Sequence, residues 1–311
     1  DGHLYLPRAA AWAGSQDADP EYYLLAHDER RLRTAPPVDP YVYVDGNSLT
    51  AEALCLAGVV LDDGLRLRQS RATMEGLWRH AYRPGKGLAH YLEGDLPALF
   101  GRLEDQVAAG RACLALHQAS GEAVWLERAL ACADFCRERL SAPEGGFYDR
   151  PPDPGAPGAL ALPLLDLPAN AEAARFFLAL AALTGRQHYR DDAVRTLAAF
   201  VPSYRHHGLL AAGFALAVWE ALHPWTVVTV VGAPEDRRAG DLRRAALGLC
   251  RPATVVRTVD RRDRRALEEL GLKPPRRAVA VVTRGGTLRP PVRTPEELAA
   301  ALRPSGAPPR H

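Results

Sequence analysis

The chain has 311 residues, of which 47% are hydrophobic and 24% charged, and a formal net charge of +2. That length suffices for two domains and a large core, and the balance is that of a globular protein rather than a disordered or collagenous one. The longest apolar run, LLAAGFALAVW at 209–219, stops at Glu220 and is too short to span a bilayer; the opening DGHLYLPRAAAWAG has no secretory leader pattern.

Near the start, GSQDADPEYY sets Gln16, Asp17 and Asp19 in a compact acidic turn closed by Pro20. Its spacing does not match a calcium loop, which needs further ligands and a closing Glu. With Asp1 as first residue and a single Met, the chain reads as a piece of something longer.

From residue 47 to 222 the apolar residues recur with helical period, giving predicted helices over 47–61, 65–81, 103–119, 122–140, 169–184, 187–201 and 208–222. They form an internal repeat. LALHQASGEAVWLERALACADF (114–135) and LALAALTGRQHYRDDAVRTLAAF (178–200) share an apolar helix end, a Gly, an aromatic four residues on and an Ala four beyond that. These are Gly121, Trp125, Ala129 and Gly185, Tyr189, Ala193; a fainter copy carries Gly64, Arg68 and Ala72. A glycine in the left-handed conformation closes the first helix and an amphipathic second one returns antiparallel, so each unit is a helical hairpin. The connections GKGLAHYLEGD and EGGFYDRPPDPGAPGA are long for a bundle, and long loops often carry sites. Such hairpins suggest a toroid whose first helices form an inner ring.

The first helices of the hairpins open on YVDGNSLTAEAL, RLEDQVAAG and DLPANAEAAR. If they share an inner ring, Asp45, Asn47, Ser48, Glu104, Asp105 and Asn170 meet at one mouth, together with free backbone N–H groups. Such a rim suits a polyhydroxylated or anionic ligand, and two carboxylates at suitable separation can do acid and base work on a glycosidic bond. The same residue types are also ordinary N-caps, each worth about 1 kcal/mol. On this reading Asp17, Asp19, Glu104 and Asp105 are the catalytic candidates; Gln16, Asp45, Asn47, Ser48 and Asn170 are ligand-binding candidates.

The remaining motifs are weaker. PGKG at 84–87 lacks the Walker spacing, the adjacent His206 and His207 read as loop residues, and His117 reads as a hydrogen-bonded interior residue. The five cysteines are odd in number and mostly lie in apolar helical patterns, as free thiols of a reducing, cytoplasmic compartment would. Cys132 and Cys136 share a helix face but lack the further ligands of a structural zinc. No metal or other cofactor is expected.

After residue 223 the period changes. TVVTVVG, ATVVRTV and RRAVAVVT are β-branched runs, DRRAGDLRRAALGL is a helix between the first two, and TPEELAAAL is a capped helix with Thr294 as N-cap and Glu297 completing a capping box. Two domains follow: 1–223, helical hairpins, and 224–311, a small α/β unit. The second carries 18 basic against 9 acidic residues. Arginine is spread over the whole chain and no RNP-like aromatic motif is present, so nucleic acid is not the expected partner.

Taken in order, GSQDAD, GNSLTAEALCLAG, LEDQVAAG with LALHQASGEAVWLERAL, PANAEAARFFLALAALTG and AVAVVTRGGTLRPPVRTPEELAAAL resemble the spermatogenesis-associated thioredoxin-domain family. The resemblance implies a mainly α chain: the later part of a six-hairpin toroid of the glycosidase and sugar-epimerase type, then a small α/β tail, with the thioredoxin-like domain and the early hairpins outside this sequence. Gly46, Asn47 and Ser48 replace the family's Trp-Asn-Gly; Gln106 replaces a Tyr; Pro168, Ala169, Asn170 and Ala171 replace Ser-Gly-Asn-Ser; Thr283 and Leu288 replace cysteines. Two functions are consistent with these readings. One is a carbohydrate-active or sugar-binding toroid with glycosidase-like or epimerase-like chemistry at the rim; the other is a non-catalytic scaffold for a thioredoxin-like domain or a client protein.

Overall fold

A computed structural model describes residues 20–34, 39–233, 236–249 and 252–303. After a 3-10 turn at Pro20–Leu24 and the single turn α1 (His27–Arg30), the chain enters strand β1 (Val42–Tyr43) and the first of three helical hairpins. These are α2 (Val44–Val60) with α3 (Gly64–Ala81), α4 (Leu103–Ser120) with α5 (Ala123–Phe135), and α6 (Leu167–Thr184) with α7 (Gln187–Phe200); α8 (Ala212–Leu222) follows. Helix α2 packs on α4, α4 on α6 and α6 on α8, so the first helices stand side by side as an arc. The fold is mainly α, an arc of α/α hairpins of the toroid type followed by a small α/β part.

Helix α4 sits at the centre of the arc and is buried on nearly all sides, from Leu103 through Leu116. A helix apolar all round belongs in a core. Gly121 (φ 78°) and Gly185 (φ 72°) end α4 and α6 in the left-handed conformation, and the aromatics expected beside these turns, Trp125 and Tyr189, are fully buried. The faint third copy is corrected: Gly64 does not close α2 but opens α3. Asp62 takes the positive φ of 54° there, and the Asp63 carboxylate caps the next helix by accepting from the N–H groups of Leu65 and Arg66. Two helix ends also shift. Beyond Phe135 the α5 axis continues as a π turn, Cys136–Leu140, and the expected helix 208–222 becomes a 3-10 stretch, Tyr204–Ala211, leading into α8 because Gly208 (φ 54°, ψ −127°) breaks the α path.

The long connections carry extended structure. Strands β2 (Tyr82–Arg83), β3 (Gly87–Glu93) and β4 (Leu96–Phe100) fold antiparallel, with β3 also pairing β1 so that Tyr43 stands opposite Tyr91. The second connection makes a bridge between Ser141 and Phe147.

The last part contains β5 (Thr226–Val231), α9 (Arg237–Gly248), β6 (Thr254–Val259), α10 (Arg264–Glu269), β7 (Val279–Arg284), β8 (Thr287–Leu288) and α11 (Pro295–Ala301). The sheet order is β6-β5-β7-β8, with β5 and β6 parallel and the other pairs antiparallel. Val228, Val230 and Val256 pack under α9 and α11, whereas Val255 joins the core of the hairpins. Thr294 caps α11 as expected, but the Glu297 carboxylate reaches the N–H of Arg293 rather than that of Thr294, so the capping box is displaced by one residue. No helix among the described residues is long and apolar enough to cross a membrane.

Candidate functional site

The N-termini of α2, α4 and α6 open at one end of the arc. A cavity of about 260 Å³ lies between them, walled by Asp45 and Leu49 from α2, Glu104 and Val107 from α4, and Asp166 and Ala169 from the start of α6. Residues far apart in sequence thus share a rim. Glu104 is exposed on it, whereas its neighbour Asp105 is fully buried, because adjacent helical positions differ by about 100° in direction.

Asp105 is the best connected of the rim residues. One carboxylate oxygen accepts the backbone N–H of Asp45 (3.1 Å), which ties α4 to the start of α2. Both oxygens face Nδ1 of His90 on β3, at 3.2 and 3.1 Å. Burial pushes the Asp105 carboxyl up to about 6, against the opposing pull of the His90 hydrogen bond. The same hydrogen bond raises His90 above the ordinary imidazole value. Since a carboxylate can only accept, Nδ1 carries the hydrogen and Nε2 is left as the working nitrogen. The His90 ring lies beside Tyr43 (centroids 5.5 Å apart) and Tyr91 (6.2 Å), and the Tyr41 ring is tilted against Tyr91 with centroids 5.0 Å apart. The hydroxyl of Tyr43 donates to Asp39 (3.0 Å).

Asp45, His90 and Asp105 present ligand atoms within 4.8 Å of one another. One nitrogen and two carboxylates in that space form a donor set a divalent cation could use.

The amides expected at the rim lie beneath it. Asn170 is fully buried; its Oδ1 accepts from the N–H of Phe147 (2.7 Å) and its Nδ2 donates to the carbonyls of Phe147 and Asp166. Asn47 and Ser48 are likewise buried, and Asn47 Nδ2 donates to the Tyr43 carbonyl (2.7 Å). The residue of α4 equivalent to Asn47 and Asn170 is Gln106, not Asp105: it too donates to the carbonyl four residues earlier. Gln16, Asp17 and Asp19 lie outside the described residues. His117 is interior as expected, with Nδ1 at 2.9 Å from the Glu122 carbonyl and its pKa lowered by burial. Cys55, Cys113, Cys132 and Cys136 are buried free thiols, and burial pushes the Cys55 and Cys113 thiols up to about 12.

Sequence reasoning did not single out His90, Tyr43 or Tyr91. The signal was there: YVYVD alternates with a strand period, and His90 sits in a β-competent run. Nor did it single out the ion pairs across the inner face. Arg111 of α4 bonds Glu52 of α2 (3.1 Å) and Glu172 of α6; Arg175 bonds Glu172 (3.1 Å) and, through two nitrogens, Glu220 of α8. This belt floors the rim cavity. Below it a second cavity of about 250 Å³, which Arg111 and Gln118 also line, is closed by β6.

No protein-family description matches this chain, and no curated protein matches it. Solved structures do. A family 76 glycoside hydrolase from a bovine Bacteroides thetaiotaomicron strain aligns at 18% identity and a TM-score of 0.47, over 55% of this chain and 38% of that one. Cellobiose 2-epimerase from Spirochaeta thermophila aligns at 16% and 0.44, over 52% and 44%. An unsaturated glucuronyl hydrolase from Bacillus sp. GL1 aligns at 21% and 0.45, over 54% and 48%. The matched region is less than half of each of those chains, and the likeness is one of fold.

Proposed function

We propose that the rim is a carbohydrate site in which His90 transfers a proton and Asp105 positions it. The observation that carries this reading is the buried Asp105 carboxylate facing Nδ1 of His90 at 3.1 Å, beside a cavity that shares Asp45 with the cluster. A histidine held in one tautomer by a carboxylate is suited to taking a proton from carbon or oxygen near neutral pH. Asp105 is fully buried with its oxygens engaged by His90 and the Asp45 N–H, whereas His90 is partly exposed, so the pairing favours sugar isomerisation or epimerisation over hydrolysis by two carboxylates, which needs both at the substrate. Glu104, Asp45 and Asp166 line the cavity and supply acceptors for hydroxyl groups, whereas the half-buried Tyr41, Tyr43 and Tyr91 gather around His90 outside that lining. Asp17 and Asp19 remain candidate acids of the same rim, with Gln16 beside them. We assign the chain to the spermatogenesis-associated thioredoxin-domain family and to the cytoplasm on the sequence stretches quoted above and on its buried free thiols.

The test is proton exchange. The protein is incubated in D2O with a panel of reducing mono- and disaccharides, and deuterium at C2 is followed by NMR. Exchange that falls at least about 100-fold in His90→Gln is the expected result. Asp105→Asn should lower the rate by a smaller factor and move its pH profile, since the imidazole loses its carboxylate. A wild-type protein that neither binds nor exchanges any of these sugars would sink the catalytic reading. The second reading, a scaffold for a thioredoxin-like domain or client, is favoured by one feature: the residues lining the rim cavity include no aromatic ring.

A further inference from the structure

The cavity below the ion-pair belt plays no part in the rim chemistry. It holds about 250 Å³ between α2, α4, α6 and the start of β6; Arg111 lines both cavities, and none of Asp45, His90 and Asp105 lines this one. An apolar cavity of about 150 Å³ is enough for a benzene ring, so this one admits a ring with a short side chain. Its walls are of two kinds. Leu56 and Val59 of α2, Leu114 of α4, Phe176 and Ala179 of α6 and Trp225 before β5 are apolar, whereas Glu52, Arg111, Arg175 and Glu220 bring charge to it.

The charges do not balance. Three carboxylates, Glu52, Glu172 and Glu220, share two guanidiniums: Arg111 bonds Glu52 (3.1 Å) and Glu172, and Arg175 bonds Glu172 (3.1 Å) and Glu220 (3.1 and 3.2 Å). Each arginine is engaged by two carboxylates, which leaves no free cation for an anionic guest. The surplus is one negative charge. It falls where water is scarce, since the Glu220 side chain is 5% exposed and that of Glu52 18%, and a charge held in such a place is costly unless a counter-charge meets it. Glu52 shows where. Its Oε1 takes the Arg111 bond, and its Oε2 has no partner among the described residues. The field is felt one turn on, at Cys55 in the same lining: after burial, the Glu52 charge is the next cause that pushes its thiol up to about 12.

We propose that this cavity binds an organic cation, a primary ammonium carried on one aromatic ring or an aliphatic body of similar size. The ammonium meets Glu52 Oε2, and the body lies against Leu56, Phe176 and Trp225, whose ring face also attracts a cation. An inorganic cation would answer the charge but leave the apolar wall against water, and a neutral hydrocarbon would cover the wall and leave the charge unmet. Only a guest with both halves uses both. The proposal goes beyond the rim reading and stands whether or not the rim acts on sugars, because its test reads no sugar chemistry.

Titration of the full chain with 2-phenylethylamine, 2-phenylethanol and 3-phenylpropanoate, which share a phenylethyl body and differ in head group, decides it. Binding is followed by NMR at the indole N–H of Trp225, a signal identified by its loss in Trp225→Phe. The amine should bind at least about tenfold more tightly than the alcohol, and the carboxylate more weakly than either. In Glu52→Gln, which keeps an acceptor for Arg111 and removes the surplus charge, amine and alcohol should bind within about threefold of each other. Ala179→Leu, which narrows the cavity without touching the belt, should abolish binding of both; if that variant does not fold, Glu52→Gln decides alone. Equal affinity for amine and alcohol in the wild-type protein, no shift with any of the three, or an amine preference that survives Glu52→Gln would overturn the assignment. So would amine shifts retained in a folded Ala179→Leu, since the amine would then sit elsewhere.

Discussion

A carboxylate shut away from water is charged only at a cost, and Asp105 is completely buried with one imidazole and one backbone N–H as its hydrogen-bond partners. Its folded pKa is raised from 3.8 to about 6, chiefly by desolvation, and that of His90 is raised by the Asp105 hydrogen bond. Both groups therefore bind a proton more tightly folded than unfolded. The stability this contributes is fully present below pH 4, is lost as pH rises through about 6, and continues to fall as pH passes from 6.5 through the raised His90 value. An ion-paired surface aspartate would behave oppositely. Denaturation of wild type and Asp105→Asn at pH 4.5 and 8 should show the wild-type advantage shrinking at the higher pH, by up to roughly 2 kcal/mol from the Asp105 shift. A difference that grows with pH would mean that the carboxylate is stabilised in the fold, contrary to its burial.

Between elements, α4 and α6 approach closely at Gly110. A Cβ there would clash with Cζ of Phe176, whose buried ring packs edge-on against Phe177. Gly110→Ala should cost about 1–3 kcal/mol and lower the melting temperature, although alanine is the better helix former. Gly46→Ala, where nothing lies within 4 Å of the added methyl, should be neutral or slightly stabilising in the same thermal scan. The contrast shows what a sequence discloses. The 3.6-residue period and the glycines after α4 and α6 were legible because they depend on local backbone preference. That Glu104 faces out and Asp105 faces in was not, since two adjacent acids look alike until packing fixes the rotation of the helix. His90 was hidden for a further reason: it reaches Asp105 through a strand whose partner, β1, lies more than forty residues away, and strand register is not a local property. Gln106 read as a lost aromatic and proved to be a clamp on Leu88.

At the scale of the molecule, the rim is one end of a space whose other end is shut by the α/β unit. Strand β6 is an edge of its sheet, so the N–H groups on its far side need partners from elsewhere. Gln118, near the end of α4, supplies one: its Oε1 accepts from the N–H of Val256 at 2.8 Å. Nearby, Thr258 packs against Gly121 and Arg244 pairs with Asp62 at 2.6 Å, so β6 and α9 rest on the C-terminal ends of α2 and α4. The salt bridge is exposed and contributes at most about 1 kcal/mol; the Gln118 bond guards a buried strand amide, whose loss costs about 1–3 kcal/mol. Gln118→Ala should therefore loosen the seam more than Asp62→Ala. Exchange at the Val256 amide should accelerate at least about tenfold in the glutamine variant, with little change at the centre of α4. Equal acceleration throughout α4 would mean that the two parts open as a single cooperative unit, and that the floor of the rim cavity is held by the sheet as firmly as by the Arg111 and Arg175 ion pairs.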